Sequence, residues 1–275
     1  MKLIVFSKLF RERTVPELIA LAHEHGFEGY DLCVRPEYPI NPDNAHEALG
    51  AAVAAMKQEG LSIPMVTGNF DLLRPDHPTA VPILSAMDRA GVRLIKLGYF
   101  RIDPLDLDYW AYVDEIRKAL EGWQQLATQY NVKVCYHTHS GEFMGLNCAA
   151  LMHMIDGFDP RHIGAYIDPA HLSVNGEAFP IGLAMVKRYL SIVSAKDVLP
   201  VREERDGHGS MRRAWVRAGD GIVDWTTVFS TLKRVGYDGP VTIHCEFEAP
   251  PEQWMDTFAR EIAFFKGQRD KAAAD

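Results

Sequence analysis

Eight short apolar runs, each followed by a longer stretch of helical periodicity, restrict this chain to architectures in which strand and helix alternate from one end to the other. The runs are Leu3 to Phe6, Gly29 to Val34, Leu61 to Val66, Leu94 to Leu97, Val132 to Tyr136, Ile163 to Ile167, Ile192 to Ala195 and Val241 to Cys245. Helical patterns fall at Pro16 to His25, Ala45 to Glu59, Ala80 to Ala90, Tyr109 to Tyr130, Ala149 to Ile155, Ile181 to Tyr189, Trp225 to Val235 and Pro251 to Lys266. Gly26, Gly60, Gly91 and Gly236 each stand where a helix should stop, because glycine takes the left-handed conformation without steric penalty.

An open doubly wound sheet shares this alternation but usually carries a glycine-rich phosphate loop after its first strand. The segment after Phe6 reads SKLFRERT and has no glycine, which favours a closed (β/α)8 TIM barrel. Barrels of about 250 residues form one domain, so residues 1–275 are expected to be a single barrel, with the last few residues a disordered tail. Leu199 to Gly221, the longest polar stretch, reads as a long loop over one barrel end.

Composition narrows the function classes. With 47% hydrophobic residues the chain can bury a core without disulfides or a structural metal. Cys33, Cys135, Cys148 and Cys245 lack zinc-knuckle spacing and are expected to be buried, reduced thiols. A net charge of −8 opposes binding to polyphosphates, so no nucleic acid partner is expected. The apolar run in MKLIVFSKLFRER is short for a signal peptide, and no stretch approaches the length of a transmembrane helix. A cytoplasmic protein with no membrane partner is the expectation.

In such barrels the reactive groups sit where strands end and βα loops begin. The fifth strand ends in Tyr136-His137-Thr138-His139, whose two imidazoles lie two residues apart and so point the same way on an extended chain. Asp168 follows the sixth strand, with His171 three residues on; Asp168 could equally cap the next turn. The seventh ends in Ser194-Ala195-Lys196-Asp197, where Lys196 and Asp197 could pair with each other or touch substrate. The eighth, His244-Cys245-Glu246-Phe247-Glu248, carries ionisable groups at alternate positions, costly to bury without a metal, an opposite charge or hydrogen bonds. Glu246 is the foremost candidate. Carboxylates and imidazoles converging from separate strands suit a divalent ion such as Mn, Zn, Co or Mg.

The chain resembles the xylose isomerase-like barrels, the sugar phosphate isomerase/epimerase superfamily that includes an inosose dehydratase branch. The motifs that carry the resemblance are GFEGYDL, YIDPAH, AKD, GDGIVDW and GYDGPVTIHCEFE, spread over nearly the whole chain. The resemblance implies a metal-dependent isomerase or epimerase that removes a proton α to a keto-sugar carbonyl and passes through an enediolate. Asp168 and Glu246 match two of the four family ligands, and where relatives have a ligand glutamate the third would be His137, or else nearby Glu142. Ser194 stands where relatives have a ligand histidine, and His208 in the long loop is a candidate to replace it. Glu246, Glu142 and His137 are then the candidate catalytic groups, and His139, His171, Lys196 and Arg217 the candidate contacts to substrate. The Tyr-His-x-His run is closer to the dehydratase branch, so a keto-sugar lyase is the alternative, and a metal-free sugar-binding barrel a third. Barrels of this family often form homo-oligomers, and the sequence leaves that open.

Overall fold

Residues 1–103, 105 and 108–274 are described by the structure, a computed structural model. Seven strands come first: β1 (Lys2–Phe6), β2 (Gly29–Cys33), β3 (Ser62–Thr67), β4 (Leu94–Lys96), β5 (Lys133–His137), β6 (Ile163–Ile167) and β7 (Leu190–Ala195). After an antiparallel pair, β8 (Asp197–Arg205) and β9 (His208–Val216), the eighth barrel strand follows as β10 (Pro240–Ile243). The barrel closes in the order β1-β10-β7-β6-β5-β4-β3-β2, and each pair is parallel.

Each strand of this barrel is packed on both faces, so its apolar residues run continuously while successive side chains alternate inward and outward. The inward set forms a plug: Ile4, Met65, Cys135, Tyr166 and Ile192, with Leu94 packed against them. A second, larger core lies between the outer barrel surface and the helices. Those helices are α1 (Val15–His25), α2 (Ala45–Gln58), α3 (Ala80–Ala90), α4 (Tyr109–Gln129), α5 (Cys148–Ile155), α6 (Pro169–Val174), α7 (Phe179–Val186), α8 (Trp225–Arg234) and α9 (Pro251–Ala274). Gly26, Gly60, Gly91 and Gly236 all sit at φ between 68° and 74°, so the expected stop signals are real left-handed turns. All four cysteines are buried and free. None of the described helices is long and apolar enough to cross a membrane.

Three departures from the sequence reading stand out. The stretch expected as a loop from Leu199 is mostly the β8–β9 hairpin, paired residue for residue from Asp197↔Val216 to Arg205↔His208. Exposed on both faces over much of its length, it lacks the apolar alternation that marks a half-buried strand. The short helix α6 follows directly after Asp168 and carries His171. At the carboxyl end, where a disordered tail was expected, α9 continues to Ala274; Asp275 lies outside the described residues.

Candidate active site

Strand alternation sets what faces the barrel's upper end. One step beyond the apolar plug, the inward positions become polar: Asp31 and Thr67, Lys96, His137, then Ser194 and Thr242, all buried. A further step brings Asp168, Lys196 and Glu246 to the strand ends.

Asp168 divides its work between its two oxygens. Oδ1 accepts from the backbone N–H groups of Ala170 (3.0 Å) and His171 (3.2 Å), capping α6. Oδ2 faces the site, 3.3 Å from His137 Nε2, 3.7 Å from His171 Nε2 and 3.3 Å from Lys196 Nζ. Lys196 also donates to Glu246 Oε2 at 2.8 Å, and Lys8 reaches Glu246 Oε1 at 3.1 Å. The Lys196 ammonium therefore bridges the two carboxylates, and it lies 4.5 Å from the centre of the Trp215 ring.

The imidazoles are fixed from behind. Tyr99 Oη sits 2.6 Å from His137 Nδ1, Ser140 Oγ sits 2.7 Å from His171 Nδ1, and Arg213 Nη1 donates to the same Ser140 oxygen at 2.7 Å. His139 Nδ1 lies 2.8 Å from the Ser140 carbonyl, with its ring 4.0 Å from that of His171. Below them Tyr166 Oη meets His244 Nε2 at 2.6 Å.

Burial and charge act in opposite directions here. Burial lowers His137 to about 4 and His139 to about 3, the latter helped by the Lys196 charge, so both rings are neutral at pH 7. Burial works against ionising Asp168 and Glu246, but the Lys196 ammonium beside them holds both well below the usual carboxylate range. The two carboxylates in turn outweigh the burial of Lys196 and keep it charged. On the opposite wall burial brings Lys96 down to about 7 and Asp31 up to about 7; Asp31 accepts from Thr67 Oγ1 at 2.7 Å.

A cavity of about 720 Å³ opens above this layer, lined among others by Lys8, His139, Glu203, Arg213, Trp215 and Glu246. Its size is that of a small-molecule site.

Asp168, His137, His139, His171, Lys196 and Glu246 thus meet at one barrel end. Glu142 does not join them: it is exposed and paired with Arg101 at 3.7 Å. Arg217 forks onto Asp220 (Nη2–Oδ1 2.7 Å) and bonds the Ala218 carbonyl, which braces a turn. His208 stands at the exposed hairpin tip, paired with Arg205. Lys8, Ser140 and Arg213 went unnoticed in sequence because each lies in a polar segment with no periodic signal. Tyr99 and Trp215 likewise carry no local pattern that marks an aromatic as part of a site.

Asp197, left open as a partner of Lys196 or of substrate, turns out to be a clamp. Its carboxylate accepts from the backbone N–H groups of Val198, Gly219 and Val223 and from the Trp225 indole, at 2.9–3.2 Å. A Cβ at Gly221 would lie 2.1 Å from Asp197 Oδ1, so the AKD and GDGIVDW segments of this chain pack together at a position with room only for glycine.

The residues present do not fit a divalent ion. Among the described residues no group of three or more His, Cys, Asp or Glu side chains is arranged to hold one. The point between Asp168 and Glu246 is taken by an ammonium, and the β7 position facing it is Ser194, fully buried with an unpartnered hydroxyl. A dication placed about 4 Å from that ammonium would meet a repulsion of roughly 8 kcal/mol at an effective dielectric constant of 20.

Comparison with known proteins places this arrangement. Inosose dehydratase of Klebsiella pneumoniae subsp. pneumoniae is 30% identical over 148 residues, covering 46% of this chain and 48% of that protein. The Bacillus velezensis inosose dehydratase is 25% identical over 174 residues, covering 57% of each. The chain therefore spans about half the length of the curated relatives it matches. Among solved structures, the apo form of the 3-keto-D-glucoside 4-epimerase YcjR from E. coli superposes with a TM-score of 0.74 at 18% identity, over 97% of this chain and 99% of that one. The IOLI protein with a bound zinc atom gives 0.70 at 15% identity, over 99% and 98%. The family profile described as xylose isomerase-like TIM barrel matches residues 19–267. With its closed parallel barrel and a match over nearly its whole length, the chain belongs to the xylose isomerase-like TIM barrel family.

Proposed function

We propose that this chain is an enzyme that removes the proton α to the carbonyl of a small polyhydroxylated ketone, an inosose or a keto-sugar, and then expels a β-hydroxyl as water. The observation that carries the reading is the Glu246 carboxylate at the cavity floor, held ionised by Lys8 and Lys196. Glu246 takes the α-proton, the carbonyl electrons move onto oxygen, and the Lys196 ammonium faces the resulting enolate. As the enolate collapses, the C–O bond to the β-hydroxyl breaks, and Glu246 returns its proton to that oxygen. Water leaves from the same face on which the base acts. His139, neutral and lining the cavity, hydrogen-bonds a substrate hydroxyl.

Elimination is preferred to epimerisation because of where Glu142 stands. Two-carboxylate epimerisation needs a second acid across the substrate, and Glu142 is paired with Arg101 at the surface. The similarity to inosose dehydratases supports the same choice. An isomerase or epimerase is the second reading; in it His139, on the cavity wall, carries the second proton.

The test is incubation of inososes and keto-sugars with the enzyme in D2O, followed by NMR and mass spectrometry. Loss of water is the expected outcome, with one solvent deuterium on the carbon that lost its hydroxyl once the enol product ketonises, and Glu246→Gln should lose at least about 1000-fold in rate. Deuterium incorporation with inverted configuration and no loss of water would favour the second reading. Full turnover by the Glu246→Gln variant would end both.

A further inference from the structure

The family's sugar enzymes suggest a divalent ion at this barrel end, yet the place between the two carboxylates already holds a cation of the protein's own. We infer that the Lys196 ammonium is the resident cation of this site: it fills the point between Asp168 and Glu246, excludes a divalent ion, and supplies the positive charge that faces the substrate.

Four features of the structure carry this. The ammonium is within 3.3 Å of Asp168 Oδ2 and 2.8 Å of Glu246 Oε2, so both carboxylates are engaged at once. Its position is not a chance rotamer, because the side chain is 4% exposed and its head also packs against the Trp215 ring. Charge already balances: Asp168 and Glu246 are matched by Lys196 and Lys8, so a dication would leave an excess of two positive charges. The imidazoles, finally, are arranged around Asp168. His137 and His171 both face Oδ2 with Nε2, at 3.3 and 3.7 Å and without a hydrogen bond, while their Nδ1 atoms face Tyr99 and Ser140. Ser194 cannot supply a metal-binding imidazole, and His208 is at the hairpin tip.

The inference stands apart from the reaction proposed above, because its test reads metal binding without any substrate. Purified protein is stripped with a chelator, dialysed, and titrated with Mn2+ alone, followed by calorimetry and by the Mn2+ paramagnetic resonance signal. Lys196→Ala and Lys196→Met are treated identically, with circular dichroism to establish that each is folded; the methionine variant keeps the apolar stem. The parent protein should show no stoichiometric uptake. Removing the ammonium should free the two carboxylates, Asp168 and Glu246, and raise Mn2+ affinity by roughly 100-fold or more. Adding Asp168→Ala to either variant should abolish that gain. One equivalent of tightly bound Mn2+ in the parent protein overturns the inference. So does failure of folded Lys196 variants to bind Mn2+, because the vacated carboxylates would then be no cation site.

Discussion

Replacing Glu261 by glutamine should stabilise the protein, and by an amount that grows with pH. Glu261, on α9, is 1% exposed, and its Oε2 accepts from the Ala218 backbone N–H at 2.9 Å. Burial, reinforced by the neighbouring Asp197 charge, raises it from 4.5 to about 8. The folded state therefore binds this proton more tightly than the unfolded state, and stability falls as pH rises from 4.5 to about 8. At 1.36 kcal/mol per pH unit the penalty reaches roughly 3 kcal/mol at pH 7 and ~5 kcal/mol above pH 8. Glutamine keeps the carbonyl that accepts from Ala218 and has no charge to bury. Urea unfolding followed by tryptophan fluorescence at pH 5, 7 and 9 should show Glu261→Gln within about 1 kcal/mol of the parent at pH 5, then increasingly more stable. A difference that stays constant across that range, or a variant less stable at pH 9, would refute the reasoning.

Asp197→Ala leaves the N–H groups of Val198, Gly219 and Val223 without their acceptor, so unfolding free energy should drop by about 3 kcal/mol or more in the same assay. Arg213 bonds Ser140 and has no carboxylate within ion-pair distance among the described residues, so it is free to meet an electron-rich substrate group; Arg213→Ala should raise KM roughly tenfold in steady-state kinetics with kcat little changed. Gly29 sits at φ 145° with a virtual Cβ 1.9 Å from the Ser62 carbonyl oxygen, and Gly29→Ala should sharply reduce the soluble yield and the melting temperature.

The barrel was legible because its signals repeat. Eight apolar runs and the recurring Gly26, Gly60, Gly91 and Gly236 stops each say the same thing, and burial on both faces makes every strand conspicuous. The site was legible only where a polar residue interrupts an apolar strand, as at His137, Asp168 and Glu246. What sequence could not convey was direction. Glu142 lies five residues after His137, yet its side chain points to Arg101 and solvent. Arg217 neighbours the motif GDG and spends its guanidinium on Asp220. The Lys196 bridge depends on strand ends meeting across the barrel, which no local pattern encodes.

The hairpin β8–β9 is mortised into the barrel at one end and free at the other. At its root, Asp197 gathers four donors, while Trp215 covers the Lys196 head and Arg213 props Ser140. Toward the tip, Glu203, Met211 and Arg212 line the cavity mouth and bear on no core packing. Under the proposed reaction, substitution there should alter which substrates are admitted and leave Asp168, Lys196 and Glu246 undisturbed. On that reading the molecule separates what it accepts from what it does to it.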